Sequence, residues 1–103
     1  TDVNSTVLIT STATNQTLDS FPNTQYHSAQ YNFTMNAGTD WQTTQVSLIQ
    51  DGIGNVYITE YGLVYTSNIL ATFSSSVVSG NVWLNITPTF AATTIKMYRV
   101  TLK

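Results

Sequence analysis

Residues 43–60 read TTQVSLIQDGIGNVYITE, in which two runs of β-branched and aromatic residues flank a glycine-rich turn. The turn spans 51–55, and its Asp-Gly pair and second glycine supply the positive φ angles that tight hairpins need. In the run before the turn, Val46 and Leu48 alternate with polar residues, as in a strand that buries one face. This stretch therefore predicts an antiparallel hairpin with 51–55 at its tip.

Short strand-forming runs separated by turn residues recur along the rest of the chain. The predicted runs are 5–12, 25–35, 43–50, 56–60 continuing through 63–67, 69–78, 82–86 and 93–102. The stretch 13–23 is predicted to be a loop, because Pro22 and Asn23 break it. No segment repeats apolar residues at helical spacing in good helix formers. The pattern predicts an all-β fold, an antiparallel β-sandwich of jelly-roll or Ig-like type with seven to eight short strands.

The chain has 103 residues without a clear change of composition, which predicts one domain over 1–103. Within it, the Ser/Thr-rich segment 1–23 is a candidate extended N-terminal arm. Only 8% of residues are charged, against roughly 25% in an ordinary domain. Nucleic-acid binding is not expected, since three cations form no basic patch. Membrane insertion is not expected either, because no apolar run approaches ~20 residues.

The sequence offers few residues for catalysis. The acids are Asp2, Asp19, Asp40, Asp51 and Glu60. All except Glu60 fall in predicted loops or near the terminus, while Glu60 is expected to face solvent or to pair with Lys96 or Arg99. The chain has one histidine, His27, expected at an exposed position, and no cysteine. We therefore predict no catalytic residue, no metal site, no cofactor and no enzymatic activity.

The aromatic residues are the candidates for an interface or for stacking against a glycan. Trp41 lies beside a turn, and Trp83 lies on the polar face of its predicted strand. Tyr57, Tyr61 and Tyr65 share one face by even spacing, provided that Gly62 inserts no bulge. Three interpretations stay open for such residues: burial against a second sheet, a protein interface, or a sugar-binding platform.

The edges of the predicted sheets favour assembly with other chains. Natural monomers guard exposed strand edges with lysine, proline or inward charges, and this chain has only three cations. Its small net charge of −2 is also unfavourable for a free monomer at high concentration. We therefore expect a homo-oligomer or a building block of a larger assembly. One form would be a pilin-like filament in which 5–12 is donated to a neighbouring sheet.

Four segments of the C-terminal half carry a family resemblance. They read VSLIQDG from Val46, NVYITEYGLVYTSNILATF from Asn55, SGNVWLNITPT from Ser79 and ATTIKMYRVTL from Ala92. In this order they resemble a β-module of virion structural proteins of marine contractile-tailed bacteriophages (cyanophages), over residues 45–102. The chain departs from that pattern by Ile53-Gly54 in the turn, and its first 40 residues have no counterpart.

The resemblance implies a tail, fibre or capsid-decoration subunit located in the extracellular virion. Its implied partners are copies of itself or other virion proteins, and it implies no catalytic residues. A host surface glycan is a further candidate partner, because exposed tryptophan and tyrosine side chains can stack on sugars.

Overall fold

Eight strands follow one another along the chain in a computed structural model that describes residues 2–103, with side chains described from Asn4 onward. They are β1 (Asp2–Ile9), β2 (Gln16–Pro22), β3 (Ser28–Ala37), β4 (Asp40–Gln50), β5 (Val56–Tyr65), β6 (Ala71–Val78), β7 (Asn81–Pro88) and β8 (Thr93–Leu102). The described residues contain no helix.

The strands form two antiparallel sheets of unequal width. One has five strands in the order β1-β8-β3-β4-β5, and the other has three in the order β2-β7-β6. All neighbouring strands within each sheet are antiparallel. The two sheets enclose one cluster of buried apolar side chains. This arrangement confirms the all-β, antiparallel β-sandwich expected from the sequence.

The hairpin predicted at 51–55 is confirmed and joins β4 to β5. One carboxylate oxygen of Asp51 accepts hydrogen bonds from the backbone amides of Ile53 at 2.9 Å and Asn55 at 3.1 Å. The other accepts from the Asn55 side-chain amide at 2.7 Å. These hydrogen bonds lower the pKa of Asp51 because they favour the charged carboxylate. The bond from the Asn55 side chain has the largest effect. Asp51 is therefore a turn-forming residue.

Strict alternation of buried and exposed side chains builds the core. Every second residue of β3 is buried, and β7 and β8 follow the same two-residue period. Phe33 stacks between Tyr31, at 5.8 Å between ring centroids, and Phe73 of the other sheet, at 4.9 Å. Each large apolar side chain buried in this way contributes roughly 1.5–3 kcal/mol. The core therefore lies mainly between β3, β4, β8 and the three-stranded sheet.

The segment 13–23 was expected to be a loop, and that expectation is wrong, because β2 occupies most of it. The alternation is hidden by a bulge: Thr17 pairs with Asn85 and Asp19 with Leu84, so Leu18 is an extra residue in the strand. Within the segment 1–23, considered as an extended arm, 2–9 and 16–22 form β1 and β2, which pair with β8 and β7, while Thr1 lies outside the described residues.

A second bulge decides which way the tyrosines of β5 point. Tyr61 pairs with Gln45, but Val64 pairs with Thr43, so β5 has one residue more than β4 between these pairs. Gly62 takes the left-handed φ of +65° that this bulge uses. The bulge reverses the alternation, so Tyr65 points to the opposite face from Tyr61. The shared face expected for Tyr57, Tyr61 and Tyr65 is therefore limited to the first two.

Substitution of Gly62 should destabilise the domain. The loss should be smaller for a residue that adopts a positive φ more readily. A Cβ at this position would meet the Gln45 side chain at 3.6 Å, an ordinary contact, so the cost is conformational. We expect Gly62→Ala to lower the free energy of unfolding by about 1–2 kcal/mol and Gly62→Asn by less, since asparagine adopts this region more readily. Urea unfolding of both variants measures the difference, and equal losses would contradict it.

Candidate interaction surface

The five-stranded sheet has an outer face, defined as the face that points away from the three-stranded sheet. Along β3, β4 and β5, all of which the structure describes, no side chain on this face is charged. From β3 to β5 the face consists of Ser28, Gln30, Asn32, Thr34, Asn36, Trp41, Thr43, Gln45, Ser47, Ile49, Tyr57, Thr59, Tyr61 and Val64. The part of this face from β3 to β5 is therefore neutral, with polar side chains in its middle and apolar ones along β4 and β5, whereas Lys96 of β8 is exposed on the same face opposite Thr34.

Tyr57 and Ile49 form the apolar wall of a groove at one end of the outer face. They are directly opposite each other in the β4–β5 ladder and are 62% and 56% exposed. Gln30, Ser47 and Thr59 supply polar groups along the same groove, which has a volume of about 340 Å³. The groove combines one aromatic ring with several neutral hydrogen-bonding groups.

Trp41 stands at the other end of the outer face. Its backbone is fixed to the segment after β5: its amide donates to the Thr66 hydroxyl at 3.1 Å, and its carbonyl accepts from the Thr66 amide at 3.0 Å. The indole is 52% exposed and lines a second groove of about 200 Å³ together with Val64 and Tyr65. The prediction of an accessible aromatic residue here is consistent with this geometry.

Trp83 belongs to a different surface. It lies in β7 on the outer side of the three-stranded sheet, where its register partners are Ser20 and Ser76. Its side chain is half-buried and lines a shallow pocket with Val78 and Asn85. The structure therefore does not bring the two tryptophans together, and Trp41 shares its surface with Tyr57 and Tyr61 instead.

Of the two alternatives expected for Glu60, exposure to solvent and pairing with Lys96 or Arg99, the structure has the first. Two strands, β3 and β4, lie between β5 and β8 and keep these residues apart. Glu60 instead accepts a hydrogen bond from the Thr44 hydroxyl at 2.8 Å on the neighbouring strand.

Arg99 forms an ion pair with Asp19 that links the two sheets. Its Nη1 donates to Asp19 Oδ2 at 3.0 Å, and both side chains are largely buried. The Tyr31 hydroxyl donates to the same carboxylate oxygen at 2.9 Å, and the guanidinium carbon lies 5.9 Å from the ring centroid of Tyr26. Burial, and then the charge of Asp19, raise the pKa of Tyr31 far above its usual range.

Sequence reasoning missed this pair, although one signal was present. Arg99 alternates with Ile95 and Met97 on the face that proves to be buried, and a charge on a buried face requires a partner. The partner is 80 residues away in sequence, in a strand that was taken for a loop.

His27, the one histidine of the chain, is exposed, as predicted. Among the described side chains, from Asn4 onward, no three histidine or acidic residues are grouped so as to hold a metal ion. Residues 2–103 include no helix capable of crossing a lipid bilayer.

Comparisons with known proteins identify a fold and no family. No family model matches the chain, and no curated protein matches its sequence. Among solved structures, the tailspike protein of Acinetobacter baumannii phage AM24 is similar, with a TM-score of 0.54 and 14% sequence identity. The similarity covers 98% of this chain and 25% of the tailspike chain. The fold of this domain therefore occurs within a phage tail protein. The matched part is a quarter of the length of that protein.

Removing one partner of the ion pair should be far more damaging than removing both. Asp19→Ala leaves the Arg99 charge buried without compensation, and the Nε of Arg99 already has no hydrogen-bond partner among the described residues. We expect a loss of about 3–5 kcal/mol in the free energy of unfolding. The double variant Asp19→Leu/Arg99→Met, which removes both charges, should lose less. Urea unfolding tests this order, and an Asp19→Ala variant as stable as the wild type would refute it.

Proposed function

We propose that this domain is a structural component of a phage virion, a tail, fibre or capsid-decoration subunit that acts through contacts with copies of itself or with other virion proteins. The observation that carries the proposal is the part of the outer face from β3 to β5, which is uncharged and exposes aromatic and aliphatic side chains. Interfaces are depleted in charge and enriched in tyrosine and tryptophan at their centres, as this face is. The sequence resemblance to virion proteins and the tailspike-like fold support the same location, the virion particle.

The size of the outer face also supports a contact surface. Strands of about ten residues extend about 30 Å, and the spacing of about 4.8 Å between strands gives the whole five-stranded face, which includes Lys96, a width near 20 Å. The resulting area of roughly 600 Å² approaches the ~800 Å² that each partner buries in a standard interface. Such a face, if left open, would favour non-specific association at small net charge.

The alternative in which 5–12 is donated to a neighbouring sheet is the less favoured one. Residues 2–9 form β1, which pairs along its whole length with β8 of the same chain. A filament built by strand donation would require this strand to leave its own sheet.

We also propose that the domain itself is not catalytic. The four acids with described side chains all bond within the chain: Asp19 to Arg99, Asp40 to Ser67, Asp51 to its own turn and Glu60 to Thr44. Each of these carboxylates therefore has a structural role. This supports a domain that functions through the surfaces of its β-sheets.

The virion assignment is tested by localisation. Antibodies raised against the folded domain are expected to label phage particles purified from the culture from which the sequence derives, with gold particles on the tail in electron micrographs. Pre-incubation of the antibodies with soluble domain is the control and should remove the label. Particles that contain the protein's coding sequence but remain unlabelled after mild disruption would contradict the proposal.

A second candidate function is attachment to a host surface glycan. The groove beside Tyr57 favours it, because a neutral sugar is recognised by an aromatic face together with uncharged hydrogen-bonding groups, and Gln30, Ser47 and Thr59 supply them. Trp41 offers a second aromatic face on the same surface. This candidate is compatible with a virion location, since an attachment module is part of the particle.

A glycan array distinguishes this candidate from a purely structural role. If sugars stack on the outer face, Tyr57→Ala or Trp41→Ala should weaken binding by at least about tenfold, equivalent to ~1.4 kcal/mol. Trp83→Ala on the other sheet is the matched control and should bind as the wild type does. Absence of binding, or binding that is indifferent to Tyr57 and Trp41, would eliminate the glycan candidate.

A further inference from the structure

The tip of the β4–β5 hairpin contains the one Asp-Gly pair of the chain, Asp51-Gly52. Such a pair is chemically labile, because glycine has no side chain to hinder its backbone nitrogen from reaching the carboxyl group of the aspartate. Asp51 and Gly52 are both exposed, so water has access to them. The turn therefore contains the groups needed for a spontaneous change of the backbone, the isomerisation of aspartate to isoaspartate.

This isomerisation proceeds through a cyclic imide and uses only the chain and water. The Gly52 nitrogen forms a bond to Cγ of Asp51, a C–O bond of the carboxyl group breaks, and the hydroxyl leaves as water with the proton of the amide. Water then opens the ring at one of its two carbonyl carbons. Attack at Cγ restores aspartate, whereas attack at the backbone carbonyl carbon yields isoaspartate, whose main chain runs through Cβ and Cγ.

The Gly52 amide is engaged elsewhere in the folded chain. Its N–H donates to Gln50 Oε1 at 2.7 Å. The Gln50 side chain is itself fixed: it is 2% exposed, and its Nε2 donates to the carbonyls of Asn23 at 2.6 Å and Tyr26 at 2.8 Å. His27 also approaches Gly52, with Nε2 3.9 Å from the position of an added Cβ, but the amide proton is already donated to Gln50. The attacking nitrogen is therefore held by a buried side chain.

The Asp51 carboxylate is held as well, in its less reactive form. Its two oxygens accept hydrogen bonds from the Ile53 and Asn55 amides and from the Asn55 side chain. These bonds lower the pKa of Asp51, whereas departure of a hydroxyl as water requires the neutral acid. Ring formation removes one carboxylate oxygen, so at least one of these hydrogen bonds must be lost on the way.

We propose that Asp51-Gly52 is the isomerisation site of this chain, and that the hydrogen bonds of the turn keep it in the aspartate form while the domain is folded. The unfolded chain loses the bond from Gly52 to Gln50 and the bonds to the Asp51 carboxylate, so it isomerises. Isoaspartate at this position is therefore a chemical record that a chain has been unfolded. This inference is independent of the proposed location in a virion.

Isomerisation would change the outer face next to the turn. The isoaspartyl linkage adds one carbon atom to the main chain and moves the carboxylate that closes the turn. The Asp51 amide, which donates to the Asn55 carbonyl at 3.1 Å, would be displaced from its partner. Ile49 and Tyr57, the apolar wall of the groove, lie two residues from the turn on either strand. The hydrogen bonds of the turn therefore preserve the groove as well as the hairpin.

Ageing the folded and the unfolded chain side by side tests the site. The wild type is incubated at neutral pH in buffer and in concentrated guanidinium chloride, then digested with a protease that cleaves before aspartate and not before isoaspartate. Isomerisation appears in mass spectra as a peptide that begins at Asp40 and continues past Asp51. An unaged sample gives the background of incomplete cleavage. The folded chain is expected to form this peptide at least about tenfold more slowly, because its hydrogen bonds must break first.

Two asparagine variants locate the protection in the turn. Asn55→Ala removes the side-chain donor to Asp51 at an exposed position and should accelerate isomerisation of the folded chain about threefold. Asn36→Ala, at the β3–β4 hairpin, is the matched control and should stay within about twofold of the wild type. Gln50→Met removes the acceptor of the Gly52 amide and should act at least as strongly as Asn55→Ala. Circular dichroism confirms folding; if Gln50→Met does not fold, Asn55→Ala decides.

The outcomes are distinct from those that test the proposed function. Equal rates in buffer and in denaturant overturn the protection, and an unfolded chain that isomerises faster at another aspartate overturns the assignment of the site. Equal rates for Asn55→Ala and Asn36→Ala overturn the role of the bonds to the carboxylate. None of these results affects gold labelling of virions.

Discussion

A sheet of three strands cannot cover a sheet of five, and most features of this domain follow from that mismatch. The narrow sheet covers the inner faces of β3, β4 and β8, where the fully buried side chains are concentrated. Near the margin the same inner face becomes accessible, first at Glu60 and then at Leu63 and Tyr65. The core and the surface available to a partner are therefore two consequences of one geometry.

The ion pair between Asp19 and Arg99 fixes how the two sheets are aligned. A buried pair of this kind contributes little net stability, because desolvation offsets the attraction between the charges. Its effect is on specificity: a shift of β2 by one residue would turn Asp19 outward and leave Arg99 alone in the core. The bulge at Leu18 makes this possible, since it lets Leu18 reach the core while Asp19 still faces Arg99. The bulge at Leu18 thus supports the ion pair between Asp19 and Arg99.

The sequence predicts the regular parts of this fold and misses the irregular ones. Residues that alternate with period two, such as Tyr31, Phe33 and Met35 in β3, identified a strand and its buried face. Where a bulge breaks the period, prediction is harder: β2 was taken for a loop, and the shared face of Tyr57, Tyr61 and Tyr65 was expected only if Gly62 inserted no bulge. One extra residue reverses every later side chain; a glycine such as Gly62 marks a place where this can happen, whereas Leu18 gives no such signal.

The candidate surface was predictable to a similar extent. Exposure of Trp41 beside a turn could be anticipated, whereas the separation of Trp41 from Trp83 depends on which strands belong to which sheet. The pairing of Asp19 with Arg99 spans 80 residues and requires the complete topology. An arginine on a buried face indicates that a partner exists, but which residue that partner is follows only from the assembled fold.

The bulge at Gly62 also bears on how far an assembly of this domain can grow. A regular, unguarded edge acts as a template, since each added strand presents a new edge identical to the one it covered. An edge interrupted by a bulge cannot propagate in this way, although its side chains remain adhesive. The bulge therefore makes growth of an assembly by repeated strand addition at this edge unfavourable.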